Sequence, residues 1–166
     1  MEHEEYGAVF AVTVAWDEGA WIVRSFEDDF ESLDTAIGAV RGLRSEGAAF
    51  AMLCVDDDYF VLVRPGPNRT QLLLSDATMA VDDDFAAAVL EGYGADIPDL
   101  DPAELDDIDG WAEGDLDILA DLGMSEEVLG VIADDPGPWP SEQLLRIAGE
   151  LGFAEELIDA AGLDED

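Results

Sequence analysis

Residues 50–55 read Phe-Ala-Met-Leu-Cys-Val, residues 59–64 read Tyr-Phe-Val-Leu-Val-Arg, and residues 71–74 read Gln-Leu-Leu-Leu. Each run is dense in apolar side chains and too short for an ordinary helix, so each reads as a strand. Asp56-Asp57-Asp58 and Pro65-Gly66-Pro67-Asn68 stand between them as turns. Such short connections favour an antiparallel meander. Upstream, residues 6–15 (Tyr-Gly-Ala-Val-Phe-Ala-Val-Thr-Val-Ala) place Phe10, Val12 and Val14 on one face of a strand and Val9 and Thr13 on the other. Asp17-Glu18-Gly19 then turns the chain into Trp21–Phe26, which completes a hairpin.

Two stretches change period. Leu33, Ile37, Val40 and Leu43 recur at helical spacing behind Ser32 as a cap, with Arg44 near the negative end of the dipole and Gly47 as a stop. Ser75 or Asp76 opens a second helix to about Tyr93, with Met79, Phe85, Val89 and Tyr93 inward. The order β-β-α-β-β-β-α over residues 1–93 predicts an α+β domain, a five-stranded antiparallel sheet with two helices on one face.

Composition shifts at Gly94. Residues 94–113 hold eight acidic side chains and no base, and Pro98 and Pro102 interrupt any helix, so this span reads as an extended acidic linker. Residues 114–166 contain an internal repeat: Leu116–Leu129 resembles Leu145–Ile158. Each copy predicts a short helix ended by glycine (Gly123, Gly152), an apolar residue (Met124, Phe153) that folds back onto that helix, and a Glu-Glu pair opening the next. The expectation is a small helical unit of two helical hairpins joined through Pro136–Pro140 and packed on each other.

Lysine is absent, and 42 acidic residues face six arginines for a formal charge of −36. Phosphate backbones and anionic membranes repel such a chain, whereas basic protein surfaces attract it. Hydrophobic content of 49% supplies a real core, so the charge is a coat on a folded body. A salty cytoplasm or GC-rich codon usage accounts for such a coat equally well. The single Cys54 cannot form a disulfide within the chain and reads as a small buried hydrophobe. Met-Glu-His-Glu-Glu has none of the marks of a signal peptide, and no apolar run reaches bilayer length. The expected location is the cytoplasm.

No catalytic constellation emerges. His3 is the one histidine, no His/Cys cluster suits zinc, and no lysine serves a phosphate loop. The carboxylate runs Asp56–Asp58, Asp82–Asp84 and Asp106-Asp107-Ile108-Asp109-Gly110 remain, but the last puts leucines at the first and twelfth positions of a calcium loop. They read as solvated faces, and no catalytic residue, metal ligand or cofactor is assigned. Trp111 ends the acidic linker and Trp139 lies between two prolines. With Asp106, Asp107, Asp109, Asp134 and Asp135 they form a candidate partner-binding set, aromatic anchors in steering charge. The alternative is that both tryptophans cover the helical unit.

Three stretches carry a family likeness: Leu72-Leu-Leu-Ser-Asp-Ala-Thr78, Gly114-Asp-Leu-Asp-Ile-Leu-Ala-Asp-Leu-Gly123 and Ala148-Gly-Glu-Leu-Gly-Phe-Ala-Glu-Glu-Leu157. Together they resemble the tRNA adenosine deaminase-associated proteins of actinobacteria. The resemblance implies a gene association with the deaminase that makes inosine at the tRNA wobble position, and it carries over no catalytic residues. That enzyme class uses a zinc-activated water held by His and Cys ligands, which this chain lacks, so it is not a second copy of the enzyme. The expected role is a non-enzymatic accessory protein on a basic protein surface, with the deaminase as the implied partner and no direct contact to nucleic acid or membrane. The rivals are a homodimeric interaction module unrelated to tRNA and a divalent-metal enzyme built on an acidic run.

Overall fold

Every apolar run of the meander becomes a strand in the computed structural model, which describes residues 9–44, 47–101, 103–104, 110–135 and 137–163. β1 (Phe10–Asp17) and β2 (Ala20–Ser25) form the first hairpin, and Asp17 pairs with Ala20. Glu18 and Gly19 both take positive φ, 52° and 83°, the two-residue turn whose twist matches that of the strands. β3 (Ala49–Val55), β4 (Tyr59–Pro65) and β5 (Thr70–Leu74) follow as the meander. β1 pairs with both β2 and β3, so all of these neighbours are antiparallel.

The sheet has six strands rather than five, in the order β2-β1-β3-β4-β5-β6. β6 (Glu113–Gly114) is the end of the acidic linker, paired with Leu74 and Leu73. Two residues give no periodicity to read. What holds them is Asp115 beside them: its amide donates to the Leu72 carbonyl (2.7 Å) while its carboxylate accepts from the Leu72 amide (3.0 Å). Gly114, at φ 140°, lies so close that a Cβ would run into the Leu72 carbonyl oxygen.

α1 (Leu33–Gly42) and α2 (Asp84–Tyr93) cover one face of the sheet, over Ala51, Leu53, Val61, Val63, Leu72 and Leu74. Ser32 caps α1 by accepting from the Asp34 amide. α1 ends before Gly47, because the Leu43 and Arg44 amides bond back to Val40 and Arg41 in a tightened last turn and Arg44 enters the left-handed region at φ 52°. The expected second helix is split. Asp76 caps a 3-10 turn over Ala77–Val81, and Asp83 starts a new helix by accepting from the Phe85 and Ala86 amides.

The opposite face is covered as well. Phe10, Val12, Val14, Phe50, Met52, Phe60, Leu62 and Leu73 pack against Ile118, Leu119, Leu129, Leu144, Ile147 and Phe153. The C-terminal elements α3 (Glu126–Asp134), α4 (Pro140–Leu151) and α5 (Ala154–Ala161) therefore bury their apolar sides on the sheet as well as on one another. Trp21 joins the two parts, its indole donating to the Leu151 carbonyl at 3.0 Å.

The two repeat copies share their glycine device. Gly123 (φ 113°) and Gly152 (φ 103°) take the left-handed cap, and the next amides, of Met124 and Phe153, return to Leu119 and Ala148. Glu126-Glu127 and Glu155-Glu156 occupy the first turns that follow. The expected opening helix of the first copy is instead a set of turns closed by a 3-10 segment, Ala120–Leu122. The Ile118 carbonyl accepts from the Arg64 guanidinium (2.8 Å), and Leu122 donates to Leu119 in three-residue spacing. The C-terminal part thus has three α-helices among the described residues.

Candidate functional site

Where α3 ends, its carboxylates meet the far end of the sheet. Asp134 and Asp135 line a groove of about 400 Å³ together with Asp58 from the β3–β4 turn and Asp76 from the cap after β5. Gly110, next to Trp111, contributes to the same wall, as do Pro138 and Pro140 on either side of Trp139. Chain segments far apart in sequence therefore bring the neighbours of both tryptophans to one acidic opening. Gly110 lies so near Asp76 that a Cβ would clash with its carboxylate.

The groove walls are fixed by hydrogen bonds. Asp76 accepts from the Thr78 amide (3.0 Å) and the Thr78 hydroxyl (2.6 Å). Trp111 is anchored by its backbone, its carbonyl accepting from the Ala77 amide at 2.7 Å, while the residue remains 38% exposed. Trp139 is 63% exposed; its amide donates to the Glu142 carboxylate and its carbonyl accepts from the Gln143 amide. Gln143, buried, ties the end of α3 to α4 by donating to the carbonyls of Ile132, Ala133 and Asp135.

The groove's charge is strongly unbalanced. Burial, and then the nearby charges of Asp56, Asp83 and Asp57, push the Asp58 carboxyl above its ordinary pKa. Asp135 has a cation at hand, the Arg146 guanidinium at 3.6 Å, and accepts from the Gly137 amide. Asp134 is exposed. It and Asp135 also border the outward side of α3, where Val131 is 61% exposed beside Glu127. An apolar strip and a carboxylate groove therefore adjoin.

Of the residues expected in a partner-binding set, Asp134 and Asp135 line this opening, while Trp111 and Trp139 do not line it and are only chain neighbours of Gly110, Pro138 and Pro140, which do. Asp106, Asp107 and Asp109 lie outside the described residues. Asp58 and Asp76 were missed, since each reads locally as a turn or cap and no spacing links them to α3. The acidic run 56–58 is more than a solvated face: Asp57 accepts from the Ser141 amide (2.7 Å) and hydroxyl (3.1 Å) and so caps α4 from across the fold. Asp83 takes the Tyr59 hydroxyl as well as its own helix start.

Potential nucleophiles are subdued. Cys54 is buried, and burial with the charge of Asp57 pushes its thiol well above the usual range. Tyr59 is raised likewise, by burial and by Asp83. Among the described residues no three His, Cys, Asp or Glu side chains are placed to hold a metal ion. Among them too, no helix is long and apolar enough to cross a membrane.

Fold and groove together define an acidic α+β protein with one six-stranded sheet between two helical layers. The chain belongs to the family described as Rv3753c-like tRNA adenosine deaminase-associated protein, whose model matches residues 9–154. It is 49% identical over 157 residues to Protein Rv3753c of Mycobacterium tuberculosis (strain ATCC 25618 / H37Rv), covering 92% of this chain and 89% of that relative. No solved structure matches. The likeness carried by Leu72–Thr78, Gly114–Gly123 and Ala148–Leu157 is thereby borne out.

Proposed function

We propose that this chain is a non-enzymatic accessory protein of the cytoplasm that binds a basic protein surface, with tRNA adenosine deaminase as the partner and wobble inosine formation as the process served. The family description supplies the association. The observation that carries the reading is the groove in which Asp58, Asp76, Asp134 and Asp135 converge, walled by Pro138 and Pro140, the chain neighbours of the exposed Trp139. An enzyme that holds tRNA displays cationic surface, and a body of charge −36 is drawn to it over long range. At close range a carboxylate groove takes guanidinium or ammonium groups, while the indole of Trp139 and the Val131 side of α3 supply desolvated contact. Occupying a tRNA-binding face in this way shields the enzyme from its anionic substrate.

Asp134→Lys and Trp139→Ala test the assignment, because both side chains are exposed and neither change reaches the core. Coexpression with the deaminase and pulldown at low and moderate salt should enrich the native chain and lose about tenfold of the capture in each variant. No enrichment of the native chain at either salt eliminates the deaminase as partner. Undiminished capture by both variants removes the groove from the account.

A further inference from the structure

The two edges of the sheet differ. β6 is two residues long and contains a glycine, a short edge that offers little to pair with. β2 is six residues long and pairs with β1 without interruption from Val12↔Ser25 to Asp17↔Ala20. It has no proline and no bulge, and Arg24 is its one charged side chain. Among the described residues no strand pairs with its outer side.

One side of β2 is packed, with Trp21 and Val23 against the core beneath α5. The other side opens into a groove of about 430 Å³ with Ala15 and Ile22 in its lining and Asp17, Glu18, Arg24 and Arg44 around them. Among the described residues, the ion pairs use Arg64, Arg69 and Arg146, so Arg24 and Arg44 are in none. In a chain with 42 acidic side chains, two arginines without an ion pair at one edge are conspicuous.

The charges along this edge are ordered. Asp17 and Glu18 stand at the turn where β2 begins, and Arg24 stands near its end. We propose that β2 is the self-association surface of this protein: two copies pair antiparallel along β2 about a two-fold axis, joining their sheets. That geometry sets Arg24 of each copy beside the acidic turn of the other, twice, and lays the two Ile22 side chains along one continuous apolar floor. Parallel pairing would set like charge on like. The proposal does not rest on the deaminase reading, since β2 lies at the other edge of the sheet from β5 and the Asp76 groove.

Salt gives the association a recognisable signature. Two bodies of charge −36 repel over long range, and screening removes that repulsion faster than it weakens two short ion pairs. Sedimentation equilibrium should therefore show a dimer that tightens from low to moderate salt. Hydrogen exchange on the native chain should show β2 amides gaining protection with protein concentration. Arg24→Glu should weaken the dimer about tenfold, and the swap Glu18→Arg with Arg24→Glu should recover most of it. A chain monomeric at every salt and millimolar concentration overturns the proposal. So do a dimer whose β2 amides stay unprotected, β2 amides already protected in the monomer, and an Arg24→Glu dimer of native strength.

Discussion

The two copies of the C-terminal repeat have the same punctuation and different bodies. Both close on a left-handed glycine, bury the next residue completely and open a helix with two glutamates. Yet the second opens inside a twelve-residue helix, α4, while the first opens with turns and three residues of 3-10 helix. Local sequence set the ends; tertiary partners set what lies between. In the first copy the chain has just left β6, the Ile118 carbonyl accepts from Arg64, and the Leu122 amide bonds to Leu119 in place of Ile118. In the second, Pro140 at the helix start and a carboxylate from the β3–β4 turn give α4 a firm beginning.

If that contrast is right, the second copy contributes more to stability than the first. Phe153→Ala should cost about 4 kcal/mol in chemical denaturation, because the ring packs against both Trp21 and Phe50, and Met124→Ala should cost about 2.5 kcal/mol. Equal losses would mean that the sheet does not distinguish the copies. The helix starts provide a finer comparison. Asp57→Ala should cost about 2 kcal/mol, since it deprives α4 of two bonds and leaves the β3–β4 turn at φ 54° without a favoured residue. Ser125→Ala, which removes the ordinary local cap of α3, should cost about 1 kcal/mol.

An equally small effect is the most pointed. Arg64→Met keeps the buried stem and deletes the guanidinium, with an expected loss of about 1 kcal/mol. It carries a pH signature. The hydrogen bond from Arg64, aided by its charge, holds Asp121 below the ordinary carboxyl value of 3.8. A depressed carboxyl stabilises the fold above its unfolded pKa, and that contribution fades as pH falls through the lower folded value. Asp58 and Asp28 are shifted the other way, chiefly by burial, so their contribution is full below the unfolded pKa and lost as pH rises through the folded one. Native stability should therefore increase on acidification from neutrality and turn down in strong acid. The Arg64→Met chain should show a weaker downturn.

Strands and turns were legible because their signals are local. Phe50–Val55 and Tyr59–Val63 are apolar at every position, which also carried an unread message. A sheet open on one face alternates, so continuous runs require a second layer. That layer is α3, α4 and α5, and the expectation of a helical unit packed on itself overlooked it. β6 was not legible, for two residues have no period. Its anchor, Asp115, looked like one more acid in an acidic chain, although it accepts from the Leu72 amide and from Arg69 at 2.8 Å. The site was half readable. Trp139 and Asp134 stand out beside the prolines, whereas Asp58 and Asp76 reach the groove only through the tertiary fold.

Titration calorimetry of the purified chain into the zinc-loaded deaminase, with and without tRNA at two salt concentrations, tests the functional account most directly. A saturable complex that weakens with salt and is displaced by tRNA is the predicted result. Heat no greater than dilution at low salt, or a complex indifferent to tRNA, would contradict it.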